Sequence, residues 1–215
     1  MASLGQAKTL GGVGSILVLL GFVPSVGFIL AIVGLILILF GVKNVSETVN
    51  DPGIFNDMVI AVLMGIIGLV VFGVIVVAAI SSFFNFGMFG TVTPGTVPSN
   101  VLSGIALLIV GLVVIWVFYL VSAIFIRKSY DKIGARLNVS MFHTTGLLYL
   151  IGAALTIVIV GLLIVLIAEI LQIVAFFSIP DQLPPAMPSQ QAWGPPPPPT
   201  PMPPSQSPTQ YTLIG

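Results

Sequence analysis

The chain has 215 residues, of which 57% are hydrophobic and only 6% charged, with six Lys or Arg balancing six Asp or Glu. A water-soluble domain carries about 25% charged residues, so a soluble enzyme is excluded. Zero net charge provides no basic field for nucleic acid, and the absence of cysteine removes disulfides, thiol catalysis and thiolate metal sites.

The apolar residues come in runs long enough to be membrane spans. Residues 4–22 read as a short first span and 26–43 as the second, turning at Val23-Pro24-Ser25. A cleaved signal peptide is the weaker reading, because no small-x-small site follows the first run. Residues 43–57 form a polar loop in which Asp51-Pro52 is a helix start, Asp as cap and Pro at the first helical position. The third span, 53–84, is roughly 32 residues or about 48 Å, against a hydrocarbon core of about 30 Å. It must tilt or begin in the interface, where Asn56 and Asp57 suggest it does. Residues 85–98 are a Gly- and Pro-rich loop without charge, after which Ser99 or Asn100 caps the fourth span, 100–126. Trp116 and Tyr119 lie inside that span and read as packing residues.

Residues 127–138 hold four of the six basic side chains, Arg127, Lys128, Lys132 and Arg136. Ile126, Tyr130, Ile133 and Leu137 share the other helical face, so the segment reads as amphipathic and interfacial, an anchor for its neighbours. The run Met141 to Ile179 would be about 58 Å as one helix. A break at Gly152–Thr156 would divide it into spans 139–154 and 157–178; one very long helix is the alternative. Residues 180–215 hold 13 of the 17 prolines and a single charge, Asp181. Proline cannot continue a helix, so this tail reads as disordered and biased to polyproline II. It would act as a solvated tether or as a ligand for an aromatic groove on a protein partner.

The expected architecture is therefore all-α: an integral membrane bundle of about six transmembrane helices with a disordered Pro-rich tail. Six spans return both termini to one side. With that side cytoplasmic, Lys8, Lys43 and the 127–136 cluster all obey the positive-inside rule, giving a multi-pass cell-membrane protein with its N-terminus and tail inside.

Gly27, Gly34 and Gly41 recur every seven residues, as do Gly14 with Gly21 and Gly104 with Gly111. Each set lies on one helical face, where small residues permit close backbone approach; the expectation is tight packing within the chain or a homo-oligomer seam. Ile32–Leu39 matches Ile159–Leu166 at six of eight positions, which in so apolar an alphabet reads as composition. The sequence presents no catalytic, cofactor or metal motif. The single histidine, His143, has no carboxylate near it in sequence, and Ser81 and Ser82 have no base. One residue stands out. Glu169 falls near the middle of the last span, where a carboxylate must be protonated, paired or facing water. Gln172, three residues on, shares its face and is expected to hydrogen-bond it.

The stretch Arg127-Lys128-Ser129-Tyr130-Asp131-Lys132-Ile133, then Met141-Phe142, Gly146-Leu147-Leu148-Tyr149-Leu150-Ile151-Gly152-Ala153 and Ile170-Leu171-Gln172-Ile173-Val174-Ala175-Phe176-Phe177-Ser178-Ile179, resembles the multi-pass membrane family known as domain of unknown function 996. Leu10-Gly11-Gly12 and Gly41-Val42-Lys43-Asn44 fit as well, so the resemblance spans about residues 4–179. It implies an integral membrane protein, mainly archaeal, with no assigned activity and no catalytic residues to carry over. Two functions follow as expectations: a non-enzymatic structural or scaffold role displaying the tail, and a small transporter or channel component binding a proton or cation at Glu169.

Overall fold

The computed structural model describes residues 3–89, 99–158 and 160–183, and every described residue in it is helix, turn or connecting segment, with no strand. Six α-helices follow in order: α1 (Leu4–Leu19), α2 (Gly27–Thr48), α3 (Pro52–Phe89), α4 (Ser99–Leu137), α5 (Ser140–Leu155) and α6 (Val160–Phe177). A short 3-10 turn, Leu20–Phe22, extends α1. Five of the resulting segments are long and apolar enough to cross a membrane; α5, at 16 residues, is the shorter sixth. The Pro-rich segment, from residue 184 on, and the loop 90–98 lie outside the described residues.

Local chemistry accounts for the ends. Pro52 opens α3, and Asp51 Oδ1 accepts from the Gly53 amide at 3.2 Å. The α2–α3 and α4–α5 turns pass through Asn50 (φ 53°) and Asn138 (φ 55°), left-handed positions that asparagine tolerates. The last apolar run breaks at residues 156–158, slightly later than the Gly152–Thr156 segment singled out above. Thr156-Ile157-Val158-Ile159 is a run of four β-branched residues, which are weak helix formers. Gly152 stays helical; a Cβ on it would lie 2.7 Å from Val165 Cγ2 and 3.0 Å from the Val165 amide, so it allows α6 to fold back against α5.

The helices run up and down, and each packs on the next. α1 also packs on α6, so the six close into a ring. At its glycines the α1–α2 pair brings backbone against backbone. A Cβ on Gly34 would lie 2.5 Å from the Gly14 carbonyl oxygen, and one on Gly41 would lie 2.8 Å from the Gly11 nitrogen. Gly27 meets Gly21 in the same way. The seven-residue glycine spacing on α2 is thus spent against α1 of the same chain. Gly104 and Gly111 differ: they receive the side chains of Phe83, Ile75 and Phe72 from α3. The Ile32–Leu39 and Ile159–Leu166 segments are not equivalent in space, since Gly34 lies eight residues into α2 while Gly161 is the second residue of α6.

α4 continues without a break to Leu137, so the stretch 127–138 is the end of a 39-residue helix and no separate interfacial segment. Its apolar face turns into the protein. Tyr130, Ile133 and Leu137 are buried among Leu4, Val42, Ile54, Phe142 and Phe176. At this end of the ring α1 begins, α2 and α6 end, and α3 and α5 begin; the main buried core lies here. α3 and α4 (38 and 39 residues, about 57 Å each) have their extra length at the other end. Large apolar side chains such as Phe28, Val70, Val74 and Leu112 cover the outside of the ring, the surface a lipid-facing bundle presents.

Candidate functional site

The buried stripe of α6 is Gly161, Ala168, Gln172, Ala175 and Phe176. Small residues on it admit α1 and α5, and Gln172 (3% exposed) projects between them as the hub of a polar network. Gln172 Oε1 accepts from the Tyr130 hydroxyl at 2.7 Å and from the Tyr149 hydroxyl at 2.8 Å. Its Nε2 donates to Ser15 Oγ at 2.8 Å, and Ser15 Oγ donates to the Gly11 carbonyl, also at 2.8 Å. The amide therefore joins α1, α4, α5 and α6. Edge-to-face rings surround it: Tyr130 lies 5.4 Å from Phe142 and 6.3 Å from Phe176 between centroids, and Phe142 lies 5.3 Å from Phe176. The expected Glu169–Gln172 hydrogen bond is not made. The hydroxyls of Tyr130, Tyr149 and Ser15 take the amide instead.

Glu169, one turn before Gln172, lines a half-open cavity of about 340 Å³ to which the ring contributes its inner faces. All six helices contribute to its wall, Val18 from α1, Ile38 from α2, Met58 from α3, Tyr119 from α4 and Tyr149 from α5 among them. Most of that wall is apolar, with the polar groups gathered on Tyr119, Ser122, Tyr130, Tyr149, Glu169 and Gln172. Ser122 is already committed, donating to the Ala61 carbonyl at 2.8 Å. Glu169 Oε2 is buried and has no hydrogen-bond partner in the protein. The Tyr149 hydroxyl is the one side-chain group placed to hydrogen-bond the carboxylate. Glu169 is the tenth of the 18 residues of α6, about 12–14 Å along the axis from either end.

The other acids behave differently. Lys132 Nζ lies 2.7 Å from Asp57, Arg136 donates to Asp51 at 3.0 and 3.2 Å, and Lys43 faces Glu47 at 3.8 Å. Asp131 takes both Arg127 (3.5 Å) and His143 Nδ1 (2.8 Å), and Lys8 lies 3.6 Å from Asp181. Among the described residues, Glu169 alone of the acids has no basic partner. These pairs all lie at the core-bearing end of the ring. The interfacial cluster of the sequence analysis is there, its Arg127, Lys132 and Arg136 in ion pairs and Lys128 4.9 Å over the Phe125 ring. His143 is a half-exposed partner of Asp131, twelve residues back.

Sequence reasoning singled out Glu169 and Gln172 but passed over Tyr119, Tyr130, Tyr149 and Ser15. For two of them the signal was present: Tyr119 and Tyr149 lie inside apolar spans instead of at their ends, and their hydroxyls must find partners. Among the described residues, no group of three or more His, Asp or Glu could hold a metal ion.

The model of a family described as protein of unknown function (DUF996) matches residues 30–170. The chain is also 37% identical, over 180 residues, to an uncharacterized protein (MJ1644) of Methanocaldococcus jannaschii, an alignment covering 84% of this chain and 95% of that protein. No solved structure matches. A family match over more than half of the chain, and a relative aligned over nearly its whole length, establish that the chain belongs to the DUF996 family.

Proposed function

We propose that this chain is a non-enzymatic membrane protein that binds a proton or a cation at Glu169 and acts as a small transporter or channel component. The observation that carries the reading is the buried, unpartnered Oε2 of Glu169 in a cavity lined by all six helices. An intramembrane acid costs about 2.5–3.5 kcal/mol to insert, and no neighbouring cation offsets that cost, so a proton or another positive charge must. Tyr149 links the carboxylate to the Gln172 network. With Glu169 protonated, the carboxyl can donate to the tyrosine oxygen while Tyr149 keeps its bond to Gln172. With Glu169 ionised, the same hydroxyl is drawn toward the carboxylate, and Gln172 loses one of its donors. The charge state of the cavity is thereby tied to the contact among α1, α4, α5 and α6.

The cytoplasm is the side assigned to the end that carries Lys8, Lys43, Arg127, Lys128, Lys132 and Arg136, by the positive-inside rule. The Lys8–Asp181 pair supports both ends of the bundle lying on that side. The scaffold reading rests on the Pro-rich segment, so Glu169 carries the stronger argument.

The test is flux in reconstituted vesicles. Wild-type protein is expected to support proton or monovalent-cation movement, read with an internal pH dye under an imposed gradient, and Glu169→Gln is expected to abolish it. Equal flux in the two proteins, or none in either, removes this reading.

A further inference from the structure

We infer that the positive charge accepted at Glu169 belongs to a hydrophobic organic cation that enters from the bilayer between the α5–α6 turn and the α3–α4 pair. This inference rests on the proposed role of Glu169 and names its substrate class. Three observations lead to it.

The first is the donor set. An inorganic cation is held by several oxygens, commonly six or more for divalent ions. Here the tyrosine hydroxyls at 130 and 149 donate to Gln172 Oε1, whose capacity they fill, and Ser122 donates to Ala61. Glu169 lies in the continuous part of α6, where main-chain carbonyls are used within the helix. One carboxylate and a few tyrosine hydroxyl oxygens among largely apolar walls are too few ligands to replace a hydration shell. They do suit a cation whose charge is already sheathed in alkyl or aryl groups, which the tyrosine rings can also face.

The second is charge. No Lys, Arg or His lines the cavity, so Glu169 gives it an unopposed negative site that rejects hydrophobic anions of equal size.

The third is access. A second cavity, of about 590 Å³, lies between the packed α3–α4 pair and the α5–α6 turn. Gly65, Leu69 and Tyr119 line both cavities, so the two adjoin. The second is bounded by Leu69, Ile109, Leu112 and Ile157, all of which are on the lipid-facing surface. Gly65 leaves the junction open: a Cβ there would meet nothing closer than Ser122 Oγ at 3.8 Å. A cation dissolved in the bilayer reaches the carboxylate by this route without crossing the ion-paired end.

The exchange balances. A protonated Glu169 releases its proton as the cation binds, leaving a carboxylate–cation pair of zero net charge; the reverse step returns the proton.

Binding of tetraphenylphosphonium to the full chain in a nonionic detergent tests this, with tetraphenylborate as the anion of matched shape. Wild type is expected to bind the cation saturably, release a proton into weakly buffered solution, and show no saturable binding of the anion. Glu169→Gln is expected to weaken cation binding on the order of ten- to hundred-fold. Gly65→Leu, which fills the junction and leaves Glu169 in place, is expected to weaken it as well, both variants having first shown wild-type melting. Equal binding of the two ions, or cation binding indifferent to Glu169→Gln, overturns the inference. Glu169-dependent flux without selective tetraphenylphosphonium binding would overturn this inference and leave the proton or inorganic-cation reading standing. Selective binding without flux would uphold the binding site and remove the transport reading.

Discussion

Replacing Gln172 by leucine probes the network on which the cavity is built. The side chain is 3% exposed, and its Oε1 is the acceptor for two tyrosine hydroxyls, on residues that are 1% and 6% exposed. Leucine approximates the volume, orphans the Tyr130 hydroxyl and leaves Tyr149 only the Glu169 carboxyl; Ser15 loses a donor but keeps its own bond to Gly11. An orphaned buried group costs about 1–3 kcal/mol in a soluble protein, and interhelical hydrogen bonds in membranes average about 0.6 kcal/mol with a maximum near 1.7. One orphaned hydroxyl and one further lost interhelical bond therefore predict a loss of about 1–4 kcal/mol. The triple variant Tyr130→Phe, Tyr149→Phe, Gln172→Leu removes both sides of each tyrosine–amide bond and should recover part of that loss, because apolar replacement of both partners is close to neutral while Glu169 gives up its Tyr149 partner. Unfolding in mild detergent, followed by denaturant titration, should rank wild type first, the triple variant next and Gln172→Leu last. Wild-type stability in Gln172→Leu, or a triple variant weaker than the single one, would refute the reasoning.

Other predictions concern packing, pairing and orientation. Gly34→Ala should destabilise by about 1–3 kcal/mol, since its Cβ meets the backbone of α1 2.5 Å away, whereas Gly73→Ala, with nothing within 4 Å, should be neutral or gain up to about 1 kcal/mol in the same titration. Lys132→Met and Asp57→Asn should show a coupling of about 0.5–1 kcal/mol in a double-mutant cycle; loss of that coupling in high salt is expected, as both side chains reach solvent. The chain has no native cysteine, so Glu47→Cys and Val23→Cys can be labelled singly in intact cells. A membrane-impermeant maleimide should reach position 23 from outside and position 47 only after lysis; the opposite pattern would reverse the orientation.

The helical layout is legible because lipid imposes a simple rule: apolar stretches of sufficient length and turns of polar or breaker residues. Asp51-Pro52 marks the start of α3 for the reasons stated in the sequence analysis. The glycine spacing on α2 predicts close approach, and the partner proves to be α1, with Gly14 opposite Gly34 and Gly11 opposite Gly41. What the linear pattern does not encode is which surface an apolar face meets. Tyr130, Ile133 and Leu137 form a stripe that would suit a lipid interface equally well, and tertiary packing against Phe142 and Phe176 takes it into the core. The same limit hid the site. Glu169 is conspicuous as the lone acid in an apolar run, but Ser15, Tyr130 and Tyr149 are up to 157 residues from Gln172 in sequence; the packing of α4, α5 and α6 brings the tyrosines to it, and closure of α1 onto α6 brings Ser15. Choosing between Gln172 and a longer-range partner for Glu169 was likewise beyond helical periodicity, which shows shared faces and not competing hydroxyls.

A hydrophobic carbodiimide gives the most direct test of whether Glu169 is an unpaired carboxyl inside the membrane. Such reagents partition into lipid and modify protonated carboxyl groups there. After treatment of native membranes, peptide mass spectrometry should find the adduct on Glu169 and not on the ion-paired Asp51, Asp57 or Asp131, with tetraphenylphosphonium protecting the site. Modification confined to those aspartates, or no adduct on Glu169 under conditions that label another intramembrane acid, would contradict the account.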